Sequence, residues 1–214
     1  MDREARLFDI LRTTRAMRRL KPDPIPDPLV HEVLRAGVAA PSGGNRQNWR
    51  FLVIKDPVVK RRVQHYYQKA LDQVIAPQYR TSAPPPGVTR EQYDRQLDAV
   101  SYLTEHFHEA PVWIVACLEE GDRPLTRGSG ASIYPAVQNM LLAARALGLG
   151  ATLTTRHLFY ESKVEQILGL PRGVHSYAIV PLGYPMGRFG PVRRGPLGDV
   201  VHLDRWGEPY PGLE

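Results

Sequence analysis

Apolar residues in this chain recur either at helical spacing or in unbroken runs. Leu7, Ile10 and Leu11 have helical spacing and predict a helix over Arg3–Arg15. The connector KPDPIPDP follows, and its end reads as a helix start, with Asp27 as cap and Pro28 in the first turn. Leu29, Val30, Val33, Leu34 and Val38 mark one face of that helix, which stops at Pro41. Trp49–Lys55 contains the run Phe51 to Ile54 and predicts a buried strand. Asp56-Pro57 repeats the cap-and-proline start, and Val59, Val63, Tyr66, Ala70 and Val74 carry a helix to Ile75. Ala76–Val88, with three successive prolines, predicts a loop. Thr89 and Gln92 have capping-box spacing, ahead of Tyr93, Leu97, Val100, Leu103 and Phe107 in helical register. Ala110–Leu118 predicts the second strand, and Glu119–Gly130 a loop. Ala131–Leu147 is apolar nearly all round, which predicts a buried helix, ended by Gly148 and Gly150. ATLTT predicts a short strand, Ser162–Leu168 a short helix and Ser176–Leu182 the last strong strand.

Helices and strands mix without strict βαβ alternation, so the expected class is α+β, a sheet covered by helices. There is no internal repeat and no low-complexity boundary, which predicts a single domain over 1–214. Gly183–Glu214 is rich in Gly, Pro and Arg and too irregular to build its own core, so it is expected to lie along another surface as an arm.

No stretch of the 214 residues approaches a membrane span, and the charged start MDREARLFDI has no signal-peptide core. A cytoplasmic protein without membrane partners is expected. Cys117 is the sole cysteine, which excludes an internal disulfide, and its setting in WIVACL reads as core packing. The net charge of +6 invites a nucleic-acid reading. The basic residues, however, gather at Arg12–Lys21, Lys55–Arg62 and Arg188–Arg194, with no RNA-binding aromatic motif and no zinc spacing. Arginine groups near opposite ends of a chain suit one small phosphate equally well. The histidines, among them His65, His106, His108, His157 and His175, show no metal spacing and read first as surface or packing residues.

Three stretches carry candidate chemistry. In TTRAMRRLKPDPIP, Arg15, Arg18 and Arg19 offer guanidinium forks for phosphate oxygens, or else a solvated basic helix end. In APSGGNRQNW, Ser42, Asn45 and Gln47 offer a hydroxyl and amides while Gly43 and Gly44 allow close backbone approach; a polar connector with a capping glycine is the alternative. In GLGATLTTRHLF a turn leads from the buried helix into a polar run whose N–H groups can face a ligand, or simply into a strand.

RAMRRLKPDP, then APSGGNRQNW, then LGLGATLTT, then PLGYPMG and RRGPL together resemble the FMN-dependent nitroreductase family, in order and over nearly the whole chain. That resemblance implies a central, mostly antiparallel sheet between helices, in a homodimer whose C-terminal arm reaches across the partner. It implies two FMN molecules at the subunit interface, each touched by both chains. Residue by residue, it places a phosphate clamp on Arg15 and Arg18 with backbone contacts from Ala16 and Met17, closed by Arg194, with Arg193 as substitute. Pro41, Ser42, Gly43, Asn45 and Gln47 fall beside the flavin, and backbone N–H groups of Thr154, Thr155 and Arg156 near its reactive edge. Two departures stand out: Ala16 replaces a common Ser, and Asn48 replaces a common Pro, its amide expected to reach the active site.

The implied reaction takes hydride from NADH or NADPH through FMN to a small electron-poor acceptor, a nitroaromatic or quinone, in two half-reactions. The flavin carries the chemistry, so no catalytic side chain is expected. The variable Tyr66–Tyr102 region is expected to form the substrate channel, with Tyr79, Tyr93 and Tyr102 as stacking or core residues. Reductive dehalogenation, enone reduction and oxygen-dependent flavin breakdown are alternatives on the same fold. A non-enzymatic flavin- or nucleic-acid-binding protein is a further one.

Overall fold

The computed structural model describes residues 3–122, 126 and 128–213. Four strands, β1 (Trp49–Ile54), β2 (Val112–Glu119), β3 (Gly150–Ala151) and β4 (Val174–Gly183), form one sheet in the order β1-β2-β4-β3. Every neighbouring pair is antiparallel, with Trp49 opposite Leu118, Val112 opposite Leu182 and Gly150 opposite Gly183. The unbroken apolar run of β2 explains the layers. Successive side chains of a strand point to opposite faces. Ile114, Ala116 and Leu118 therefore enter one apolar cluster, and Trp113, Val115 and Cys117 another. A strand buried on both faces needs cover above and below.

The helices provide that cover: α1 (Arg3–Thr13), α2 (Asp27–Val38), α3 (Pro57–Ala70), α4 (Ala76–Thr81), α5 (Arg90–Glu105), α6 (Gly130–Ala146) and α7 (Glu161–Leu168). Val30 and Val33 of α2 with Ile133, Val137 and Met140 of α6 fill the first cluster. Val63 and Tyr67 of α3, Leu103 of α5 and Val164 of α7 fill the second. The two first-cluster helices approach closely at Gly37, where a Cβ would stand 2.2 Å from the Met140 side chain. The α+β class and the antiparallel sheet expected from the sequence are thus present.

Several local signals act as read. Asp56 caps α3, accepting from the N–H groups of Val58 at 2.7 Å and Val59 at 3.4 Å. Thr89 and Gln92 close their capping box. Gly148 takes φ +76° just after α6. Others differ. Asp27 is no cap: Pro26 holds that position, and the Asp27 carboxylate pairs with Lys55, whose hydrogen bond and charge hold its carboxyl below the usual range. The loop expected over Ala76–Val88 begins later, because a π-helical turn at Leu71–Ile75 continues α3 into α4. The wider turn accommodates Pro77, which has no N–H for the ordinary ladder. The buried face of α3 holds Tyr67 rather than Tyr66. The strand expected at ATLTT shrinks to β3 plus one bridge, Thr154 to Ile179. Part of the loop expected over Glu119–Gly130, residues 123–125 and 127, lies outside the described residues.

Beyond β4 the chain runs over the surface and bridges back to Leu20 through Pro185. Most of its later side chains are exposed, Trp206 at 91% and Val200 at 73%. No described helix is long and apolar enough to cross a membrane.

Candidate functional site

The segment between α1 and α2 is pinned on both sides by backbone hydrogen bonds. The Met17 N–H donates to Ala151 at 3.0 Å and the Lys21 N–H to Tyr184 at 2.8 Å, while the Arg19 carbonyl accepts from Met186 at 3.0 Å. The tail turns back, and the Val192 N–H donates to Arg12 at 2.9 Å. The Arg15 guanidinium donates to the Arg188 carbonyl at 2.9 Å. This weave brings Arg15 and Arg18 from one end of the sequence to Arg194 from the other. They line one cavity of about 330 Å³ with Gln138, Leu141 and Arg145 of α6 and with Thr152 and Leu153. A larger cavity of about 900 Å³ shares the three arginines and adds Arg19, Arg193 and Tyr79. A third, of about 220 Å³, joins Arg18 to the run Thr152–Arg156.

Neither arginine-rich lining contains an acidic side chain among the described residues. Among the described residues, no carboxylate forms a salt bridge with Arg15, Arg18, Arg19, Arg193 or Arg194. Unpaired guanidinium forks around a cavity form a receptor for phosphate oxygens. The third basic group does not join them: Lys55 pairs with Asp27, and Lys60 is buried. The Lys60 ammonium donates to the carbonyls of Ala110 and Pro111, and burial lowers its pKa to about 8.

The remaining expected contacts divide. Ala16 is exposed and lines both arginine-rich cavities. Met17 is buried and its N–H is already spent on Ala151, so it has no amide to offer a ligand. The Thr154 N–H likewise donates to Ile179 at 3.1 Å, and its hydroxyl donates to the same carbonyl at 2.7 Å. Thr155 and Arg156 line the third cavity with it. The Arg156 side chain turns inward, donating to Thr104 Oγ1 and lying 4.6 Å over the Tyr67 ring. Burial lowers its pKa. Gln138 and Arg145 are not among the residues that the sequence motifs point to. Their signal was polar character two turns apart, on one face of a largely apolar helix.

Ser42–Gln47 lies elsewhere. The Gly43 N–H donates to Ser132 Oγ at 3.0 Å, near the start of α6. Arg145, thirteen residues along that helix, borders the arginine cavity, so the two groups stand roughly 20 Å apart at the rise of an α-helix. One chain does not bring the expected site residues together. The loop itself is strained, with Gly44 at φ +59° and both Asn45 and Gln47 at φ +52°. A non-glycine residue there costs about 1–2 kcal/mol. The conformation is held by the Gln47 N–H on Ser42 Oγ at 3.0 Å and by Gln47 Nε2 on Asn45 Oδ1 at 2.9 Å. Such strain clusters at functional sites. Asn48 lines a cavity with Gly43 and Gly44, but its amide is engaged, donating to the Glu119 carbonyl at 3.0 Å and tying β1 to β2.

The isolated nucleophiles and bases are structural. Burial pushes the Cys117 thiol up to about 12, an inert core sulfur. Glu161, Glu165 and His175 meet in space, a grouping that linear spacing could not reveal. Glu165 is committed to Ser176, accepting from its N–H at 2.6 Å and its hydroxyl at 2.9 Å. His157 is wholly buried with neither ring nitrogen hydrogen-bonded, and burial lowers its pKa from 6.5 to about 4. The fold therefore holds the neutral ring. As pH falls below 6.5 the unfolded chain takes up a proton that the folded one refuses, and stability declines until about pH 4. The full loss is about 3 kcal/mol. Urea unfolding from pH 7 to pH 4 is expected to show His157→Leu losing less stability than the parent over that window; parallel curves would contradict the assignment.

The nitroreductase family model matches residues 11–184. An NADH dehydrogenase of Thermus thermophilus is 32% identical over 87% of this chain and 90% of its own length. An iodotyrosine deiodinase of Thermotoga neapolitana is 28% identical over 91% of this chain and 95% of its own. A solved structure of iodotyrosine deiodinase bound to FMN and 3-iodo-L-tyrosine aligns with a TM-score of 0.69 at 25% identity, covering 93% of this chain and 98% of that one.

Proposed function

This chain belongs to the nitroreductase family, and on that premise we propose that it is an FMN-dependent oxidoreductase. It uses NADH or NADPH to reduce a small electron-poor acceptor such as a nitroaromatic or quinone. The observation that carries this reading is the convergence of Arg15, Arg18 and Arg194 on one cavity, with no carboxylate partner among the described residues. That donor set fits a phosphate monoester: the planar forks match its terminal oxygens two at a time. Arg15, Arg18 and Arg194 hold the phosphate, and exposed Ala16 leaves the backbone open to it. The backbone of Thr155 and Arg156 orients the ring edge from the third cavity. When bound, FMN supplies the redox chemistry, taking reducing equivalents from the nicotinamide and returning them to the acceptor.

The distance of roughly 20 Å between the arginine cavity and the strained Ser42–Gln47 loop supports a homodimer, in which the partner completes each site with its own loop. Exposed apolar residues are available for that contact: Leu7, Phe8 and Leu11 on α1, and Val200 and Trp206 on the tail. The chain acts as a single domain over 1–214, with 183–214 as the arm, in the cytoplasm. Reductive dehalogenation is the second reading, favoured by the match to iodotyrosine deiodinases. Purified protein is expected to elute with FMN at twice the chain mass by light scattering. A flavin-loaded species of single-chain mass would overturn the shared site.

A further inference from the structure

We propose that Arg19 and Arg193 form a second anion subsite that takes the 2′-phosphate of NADPH and so favours NADPH over NADH. The proposal rests on the FMN reading, which assigns Arg15, Arg18 and Arg194 to the flavin phosphate. Arg19 and Arg193 border the cavity of about 900 Å³ but not the one of about 330 Å³. A phosphate monoester carries a charge of about −2 near neutral pH. One such group leaves the five clustered guanidiniums well in excess, and their mutual repulsion is relieved by a second dianion.

The geometry suits that dianion. The Arg19 guanidinium lies 4.2 Å over the Tyr102 ring. Stacking occupies the face of the fork and leaves its in-plane N–H groups free for oxygen acceptors. Tyr79, on the same cavity, is stacked on Tyr93 with ring centroids 4.7 Å apart, which fixes an aromatic surface for a purine. Two forks match the three terminal oxygens of a monoester better than the two singly charged diesters shared by both dinucleotides.

NADP⁺ and NAD⁺ differ only in the 2′-phosphate, so calorimetric titration of the purified dimer with each isolates the subsite. We expect NADP⁺ to bind at least about tenfold tighter than NAD⁺ at low salt, with the ratio shrinking as salt screens these exposed arginines. Arg19→Met and Arg193→Met are each expected to bring the ratio close to one. Equal affinities in the parent, undetectable NADP⁺ binding, or a ratio unmoved by both variants overturns the proposal. Flavin absorbance of the same samples reads the other premise separately: a parent protein that takes up no FMN defeats the flavin assignment, whatever the dinucleotides do.

Discussion

Arg18→Ala is expected to purify nearly colourless. Arg18 borders all three cavities, and no carboxylate pairs with it among the described residues. It is half-buried, so solvent screens its partner less than it does for the exposed Arg15 and Arg194. An arginine fork gives up to two charge-assisted hydrogen bonds, each worth about 1.5–3 kcal/mol. Losing both weakens FMN binding by about 10²- to 10⁴-fold. The fold should survive, because Arg18 stands close enough to half-buried Arg156 to help lower its pKa, and removing it relieves that repulsion. The check is the ratio of flavin to protein absorbance, followed by titration with added FMN. Stoichiometric flavin in the variant would remove Arg18 from the site.

Trp113→Ala should lose about 3–5 kcal/mol of stability. The indole is wholly buried on the second-cluster face of β2, and its N–H donates to the Phe107 carbonyl at 3.0 Å. Its ring stacks on Phe107 at 4.1 Å, and Phe107 stacks on Tyr67 at 4.2 Å. The three rings join β2 to α3 and to the turn after α5, so the alanine leaves a cavity where three elements meet. Trp113→Phe keeps most of the ring packing and leaves the Phe107 carbonyl unpaired, for a loss of about 1–3 kcal/mol. Denaturant unfolding separates the two. An alanine variant within about 1 kcal/mol of the parent would contradict the central place given to this stack.

Signals that a residue satisfies locally were legible in the sequence. Asp56 and the Thr89–Gln92 pair cap their helices because donor and acceptor lie within one turn. The apolar runs of β2 and β4 were legible as strands, and both are buried. Trp49–Lys55, read as a buried strand on the same signal, is instead the edge strand β1 with Val53 exposed, because a run does not reveal its place in the sheet order. What was missed depends on partners far along the chain. Asp27 has cap chemistry, but Lys55 captures its carboxylate. Asn48 carries a free amide in sequence, yet Glu119 accepts it. The N–H groups of Met17 and Thr154 looked available because their acceptors, Ala151 and Ile179, are fixed only by the folded sheet. The arginine cluster was readable as two groups, but its convergence required the tail to bridge back across Leu20. The separation of Ser42–Gln47 from that cluster was not readable at all, since linear order gives no distance along α6.

The most direct test of a flavin oxidoreductase is the visible spectrum of the purified protein, taken without oxygen before and after adding NADPH, and separately NADH. Flavin bands are expected to bleach on addition of reduced nicotinamide and to return when a quinone or nitroaromatic acceptor is added. A protein that carries no flavin and takes up none from added FMN would contradict the flavin assignment.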